Sequence, residues 1–290
     1  MKTIQFTKMH GLGNNYIYID LFKQSLQGRD LSLLAQQLSC VKTGIGADGM
    51  ILIAPSQVAP VKMRIFNKDG SEGKNCGNGL RCVAKYVYEH KIVTDNEFLI
   101  ETLSGCVVAK VEEKEGTVIS VTINMGKPIF ENKKIPFNSS LERTIRKTIS
   151  FNDQDYDVTI LSMGNPHIIF YVDDILQAPV TTLGPIVEKD ERFPEGVNVE
   201  FVEVVNEGEI SFRVWERGSG VTEACGTGAC AAVVSSVLNQ FTNKNKETVV
   251  HLDGGDLFIT WRNDGDVWMK GPAVTVCEGV FYINQEDSDV

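Results

Sequence analysis

The chain carries little that would mark it for a nucleic acid, a membrane or a metal. Its 28 Lys and Arg are outnumbered by 38 Asp and Glu, giving a formal charge of -10, and no basic cluster is longer than ENKKI at 131–135. A nucleic-acid or anionic-membrane partner therefore lacks its electrostatic footprint. No run of 18 apolar residues occurs, and the opening MKTIQFTKMHGLGNN is polar where a signal peptide would be continuously apolar. A cytoplasmic protein is expected. The seven cysteines (Cys40, Cys76, Cys82, Cys106, Cys225, Cys230 and Cys277) form no CxxC pair and have no His cluster beside them, which argues against a disulfide scaffold and against a zinc site; no metal is expected. CGNGLRC holds two of the glycines of a dinucleotide fingerprint but not the third, and no feature marks a pyridoxal phosphate lysine, so no cofactor is expected. A small-molecule ligand remains, in a chain of 290 residues with 42% hydrophobic content, enough for two ordinary domains.

Most of the sequence reads as short strands rich in β-branched and aromatic residues, such as YIYID, GMILIAP, VKMRIF, HIIFYV, VNVEFVEVV and DLFITW. Three segments carry helical spacing: DLSLLAQQLS, NGLRCVAKYVYEHK and GTGACAAVVSSVLNQF. The last two each follow a Cys-Gly-Xaa-Gly sequence. CGNG at 76–79 and CGTG at 225–228 lie 149 positions apart, as do Gly49 and Asn198, while Gly13-Asn14 and Gly164-Asn165 lie 151 apart. Three markers in the same order at a nearly constant offset point to a duplication, two similarly folded halves meeting near 124–130.

The first turn of a helix leaves backbone N–H groups without intrahelical acceptors and carries about half a positive charge. Gly77 with Asn78, and Gly226 with Thr227, can thus present N–H groups to a carboxylate, and the glycines let the backbone come close. The same field is expected to lower the pKa of Cys76 and Cys225 from roughly 8.5 toward neutrality. Two thiols on opposite faces of one α-carbon can invert it, one removing the proton and the other returning one. The other five cysteines read as buried or half-buried packing thiols. His10 and His167, in the matched HGLGNN and GNPH turns, fit either packing or acid–base work. Asn14, Asn67, Asn165 and Asn198 fit turn chemistry or ligand hydrogen bonding; Glu216-Arg217 fits a surface ion pair or a clamp for a zwitterion.

With FTKMHGLGNNYIYID, GIGADGMI, FNKDGSEGKNCGNGLRC, SMGNPH, FPEGVNVEF, WERGSGVTEACGTGACAA and KGPA in order, the chain resembles the diaminopimelate epimerase family along essentially its whole length. The resemblance implies an α+β fold of two pseudo-symmetric β-barrel-like halves, each around a central helix, with the active site between them. The halves would be 1–125 joined by the returning segment 273–290, and 126–272. It implies a cofactor-independent isomerase, a homodimer, that interconverts LL- and meso-2,6-diaminopimelate for lysine and peptidoglycan precursors, with Cys76 and Cys225 as the proton-transfer thiols. Gly77, Asn78, Gly226 and Thr227 would cradle the reacting carboxylate. Asn14, Asn67, Asn165, Asn198, Glu216 and Arg217 would hold the substrate, and His167 and Glu216 would assist catalysis. The sequence departs from the family pattern at Asn15, Gly49 and Gly196, and at Cys277, where some members carry a tyrosine used in dimer contact. A related two-thiol racemase, such as one acting on histidine, and a thiol redox sensor are the competing readings.

Overall fold

The computed structural model describes residues 2–74 and 76–283. The chain divides into two compact units, Met1–Ile123 with Gly271–Val290, and Asn124–Lys270. Its elements run β1 (Lys2–Gly11), β2 (Asn14–Asp20), α1 (Leu31–Ser39), β3 (Gly49–Ala54), β4 (Val61–Asn67), β5 (Glu72–Gly73), α2 (Gly77–Glu89), β6 (Glu97–Thr102), β7 (Gly105–Lys114) and β8 (Thr117–Asn124). The second unit holds β9 (Lys147–Phe151), β10 (Gln154–Ser162), β11 (Pro166–Tyr171), α3 (Val180–Glu188), β12 (Asn198–Asn206), β13 (Glu209–Glu216), β14 (Gly220–Val221), α4 (Gly226–Leu238), β15 (Thr248–Leu252), β16 (Gly255–Trp261) and β17 (Val267–Gly271). The last strand, β18 (Val274–Ile283), belongs to the first unit.

Both units follow one connection scheme. In the first, β1 and β2 form an antiparallel hairpin, β2 runs parallel to β3 across α1, β4 returns antiparallel, and β4 runs parallel to β6 across α2. In the second, β10 and β11 form the hairpin, β11 runs parallel to β12 across α3, β13 returns antiparallel, and β13 runs parallel to β15 across α4. The registers match as well. Gly49 faces Asn67 across β3 and β4, and Val199 faces Trp215 across β12 and β13, which makes Asn198 and Glu216 the counterparts of Gly49 and Asn67.

The sheets separate an outer helix from an inner one. Ile17, Ile19, Met50 and Leu52 pack with Leu34 and Leu38 of α1, and Ile168, Phe170, Val199 and Phe201 pack with Val180, Leu183 and Val187 around α3. Alternation along each strand then turns Tyr18, Ile51, His167 and Glu200 to the opposite face. That face covers the second helix: α2 is buried from Gly77 through Val87, and α4 meets β10, β11, β12, β13, β15 and β16. A strand buried on both faces reads as an unbroken apolar run, as in MILIA.

Two features depart from expectation. α3 carries Gly184 and Pro185 inside it, the residues that break a helical pattern, so its sequence gives no helix signal. Gly184 belongs there because a Cβ would stand 2.6 Å from Cβ of Trp215. At Gly49, noted in the sequence as a departure, a Cβ would lie 2.1 Å from the Phe66 carbonyl oxygen and 2.8 Å from the Tyr16 ring. Neither neighbour is the end of a flexible chain. Gly49→Ala is therefore expected to lose about 1–3 kcal/mol in a urea titration; unchanged stability would show that the hairpin has room.

Candidate active site

Each inner helix begins on a cysteine. Cys76 is the N-cap of α2, with extended backbone, and its sulfur accepts the Gly79 N–H at 3.3 Å. Cys225 is the N-cap of α4, and its sulfur accepts the Gly228 N–H at 3.4 Å. A side chain that accepts from the third residue of the helix is what an N-cap does, usually with oxygen. Here sulfur does it twice. Gly77 and Asn78, and in the second unit Gly226 and Thr227, are the first two helical residues, where a helix supplies no acceptor of its own.

In the first unit the β1–β2 turn reaches Cys76. Asn14 offers Oδ1 to the Cys76 thiol at 3.6 Å and to Nδ2 of Asn78 at 3.4 Å. Its own amide donates to Asp48 Oδ2 at 3.1 Å, and Asp48 also accepts the Asn15 N–H at 2.8 Å. Asp48, which sequence reasoning passed over, thereby fixes the turn that presents Asn14. Asn67 ends β4 and donates its amide to Ser71 Oγ at 3.0 Å, bracing the turn before Cys76. Behind the cap, burial pushes the Cys82 thiol up to about 11, in keeping with a packing role. Cys106 and Cys277 are exposed, against the expectation of buried or half-buried thiols.

The second unit repeats the arrangement with more polar side chains. Asn165, the counterpart of Asn14, donates its amide to Thr227 Oγ1 at 3.3 Å, and Thr227 stands 3.6 Å from the Cys225 sulfur. His167 Nε2 lies 3.0 Å from Asn165 Oδ1, and Nδ1 lies 2.6 Å from Oε1 of Glu200. His167 and Glu200 are completely buried. Burial pushes the His167 pKa down to about 3, with the Arg217 cation acting the same way, and burial pushes Glu200 well above the usual carboxylate range, with the Glu216 carboxylate adding to it. Both shifts favour the uncharged form of each partner, a neutral imidazole beside a protonated Glu200. Sequence reasoning missed Glu200, because in VNVEFVEVV it looks like the outward residue of an ordinary strand.

The expected lowering of both thiol pKa values fails at Cys225. Burial drives it well above its ordinary value, the Glu216 carboxylate pushes the same way, and the Thr227 hydroxyl and Gly228 N–H only offset part of the rise. A helix N-terminus favours a thiolate by up to ~2 kcal/mol, whereas desolvation of a fully buried charge can cost several pKa units. The raised pKa favours the protonated thiol at Cys225.

Glu216 ends β13 and is bonded to Thr222 Oγ1. Arg217 follows it, its side chain donating to the Glu195 carbonyl at 3.0 Å and its backbone N–H to Asn198 Oδ1 at 3.0 Å. Asn198 is 4% exposed and also donates to the Pro166 carbonyl; it ties three strand ends together. Gly196 sits where the backbone favours glycine: its φ is +71°, and a Cβ would press on Arg217 Cδ at 3.1 Å. The second unit thus gathers Cys225, Thr227, Asn165, His167 and Glu216, with Arg217 acting on His167.

Among known proteins, the family model described as diaminopimelate epimerase matches residues 6–131 and 159–276. The diaminopimelate epimerase of Geobacillus sp. (strain WCH70) is 66% identical over 283 residues, covering 97% of this chain and 100% of that one. At 17% identity, a crystal structure of a Bacillus anthracis phenazine biosynthesis protein of the PhzF family superposes with a TM-score of 0.70 over 98% of this chain and all of its own. A hydroxyproline epimerase from Agrobacterium vitis, 14% identical, reaches 0.68 over 97% of this chain and 91% of its own. These two share the fold, a strand-dominated α+β architecture. With matched segments spanning most of its length and a relative this similar end to end, the chain belongs to the diaminopimelate epimerase family.

Proposed function

We propose that the protein interconverts LL- and meso-2,6-diaminopimelate without a cofactor, with Cys76 and Cys225 as the two bases. In one direction the Cys76 thiolate takes the α-proton and becomes a thiol, the electron pair passes to the α-carbon and its carboxylate, and the Cys225 thiol gives its proton to the opposite face. The enzyme ends with the proton on Cys76 and the charge on Cys225. The reverse reaction runs the same steps backward. The observation that carries this reading is the pair of cysteine N-caps: each thiol sits where helix N–H groups can receive the carboxylate on which the carbanion's charge accumulates. The raised pKa of Cys225 fits its part as the acid of the pair.

Gly77, Asn78, Gly226 and Thr227 supply the carboxylate cradle in this reading. Asn14, Asn67, Asn165, Asn198, Glu216 and Arg217 hold the substrate, Arg217 being suited to a bidentate grip on the distal carboxylate. His167 and Glu216 assist at the reacting centre. The protein acts in the cytoplasm as a homodimer; the exposed apolar stripe of Val276, Val280 and Tyr282 on β18 supports a second copy as its cover.

The test is solvent deuterium uptake at the α-carbon, followed in parallel for LL-diaminopimelate and L-histidine. Label entering diaminopimelate with inversion is expected. Exchange only into histidine would transfer the chemistry to a different racemase, and exchange into neither would remove the two-base reading.

A further inference from the structure

We propose that Glu200 is a positioning residue that sets the direction of a hydrogen-bond chain running through His167, Asn165 and Thr227 to the sulfur of Cys225. The proposal rests on the two-thiol reading above and adds to it a residue with no counterpart in the first unit, where the equivalent position is Ile51.

The links are Glu200 Oε1 to His167 Nδ1 at 2.6 Å, His167 Nε2 to Asn165 Oδ1 at 3.0 Å, Asn165 Nδ2 to Thr227 Oγ1 at 3.3 Å and Thr227 Oγ1 to Cys225 Sγ at 3.6 Å. A neutral imidazole has one donor and one acceptor nitrogen. If Glu200 holds a proton, it donates to Nδ1, the imidazole proton sits on Nε2 and donates to Asn165, and the Asn165 amide donates to Thr227. The Thr227 hydroxyl is then left to donate to sulfur. Every bond points toward Cys225, and the chain favours the thiolate that must exist at one end of each turnover. If Glu200 were ionised, the histidine proton would move to Nδ1, Nε2 would become an acceptor, the Asn165 amide would turn over, and Thr227 would donate away from Cys225. The polarity of four bonds follows from one proton.

The surroundings hold that proton in place. Around Glu200 stand His167 from β11, Gly228 from α4 and, within electrostatic range, Glu216 of β13 and Cys225. No basic side chain other than His167 faces it in that set, while Glu216 opposes a second negative charge. Its Oε2 is buried and has no partner within hydrogen-bond distance among the described residues, as suits the carbonyl oxygen of an acid better than a carboxylate. The lack of a side chain at Gly228 makes the approach possible, since a Cβ there would be 2.9 Å from Oε1 of Glu200 and 3.1 Å from the Cys225 sulfur.

The experiment reads the histidine directly. In full-length protein with 15N-labelled histidine, the His167 resonances are expected to show a neutral ring protonated on Nε2. A ring protonated on Nδ1, or a doubly protonated one, overturns the proposal. Glu200→Gln, whose amide donates to Nδ1 as the acid does, is expected to keep that tautomer and to keep kcat within about threefold. Glu200→Leu, which offers no donor, is expected to mix the tautomers, raise the thiolate titration of Cys225 and lower kcat roughly 10- to 100-fold with little change in KM, the usual cost of removing an outer orienting partner. Equal loss in both variants overturns the proposal. If Glu200→Leu does not fold, the tautomer in the parent and the activity of Glu200→Gln still decide. The tautomer and the thiol titration are read without substrate, so a wrong substrate assignment would leave them standing and fail only in the deuterium experiment.

Discussion

Replacing either Cys225 or Cys76 by serine is expected to lower epimerisation of diaminopimelate by about 100- to 10,000-fold, the range over which a positioned acid or base contributes. Serine keeps the size of the side chain and can still accept the Gly228 or Gly79 N–H, so the helix start is preserved. What it loses is acidity: an alkoxide is not formed where a thiolate is. Loss of one base leaves the other able to remove its proton and return it to the same face. Each single variant should therefore exchange the α-proton of one stereoisomer with solvent while failing to invert it, and the two variants should select opposite stereoisomers. A serine variant that inverts within tenfold of the parent rate would end the two-base mechanism. Unchanged thermal melting would confirm that the loss is chemical.

The largest expected effect on stability lies at Arg81→Ala, at about 3–5 kcal/mol, or a fall in Tm on the order of 10 °C. Arg81 lies on α2 and is completely buried. Its Nε donates to the Pro272 carbonyl at 3.0 Å, across 191 residues of sequence, and its Nη2 stands 2.7 Å from where a Cβ on Gly11 would be. The guanidinium thus joins the inner helix to the end of β1 and to the chain as it enters β18. Truncation opens a cavity and leaves the part-buried Pro272 carbonyl without this donor. Arg81→Met, which refills the volume without the donor, should recover part of the loss in the same melt; a Tm for Arg81→Ala within about 2 °C of the parent would show that the join is dispensable.

The two cysteine helix starts could be read from the sequence because their chemistry is local: Cys, Gly and Gly at fixed spacing determine a cap whatever lies around it. The internal repeat was legible for a similar reason, since Asn14 and Asn165, or Cys76 and Cys225, keep their order and offset. Burial was not legible. Arg81 sits in a pattern that suits an exposed helix face, and Glu200 in one that suits an outward strand face; only the closure of the sheet around α2 and α4 puts both inside. The raised pKa of Cys225 follows from the same closure, because the helix field can be inferred from a sequence while the desolvation opposing it cannot. Asp48 was hidden because its partners, Asn14 and Asn15, lie more than thirty residues away.

The pairing of β1 with β18, Lys2 opposite Ile283, also orders events during synthesis. β1 leaves the ribosome well before its partner, with an interval on the order of tens of seconds between them. The stretch Asn124–Lys270 is uninterrupted and complete before the final strand is made. The nascent chain therefore carries an open strand edge on β1 while Asn124–Lys270 can already fold, and β18 must be made before that edge is covered. A circular permutant that begins with β18 would place the two strands side by side from the start and remove the delay.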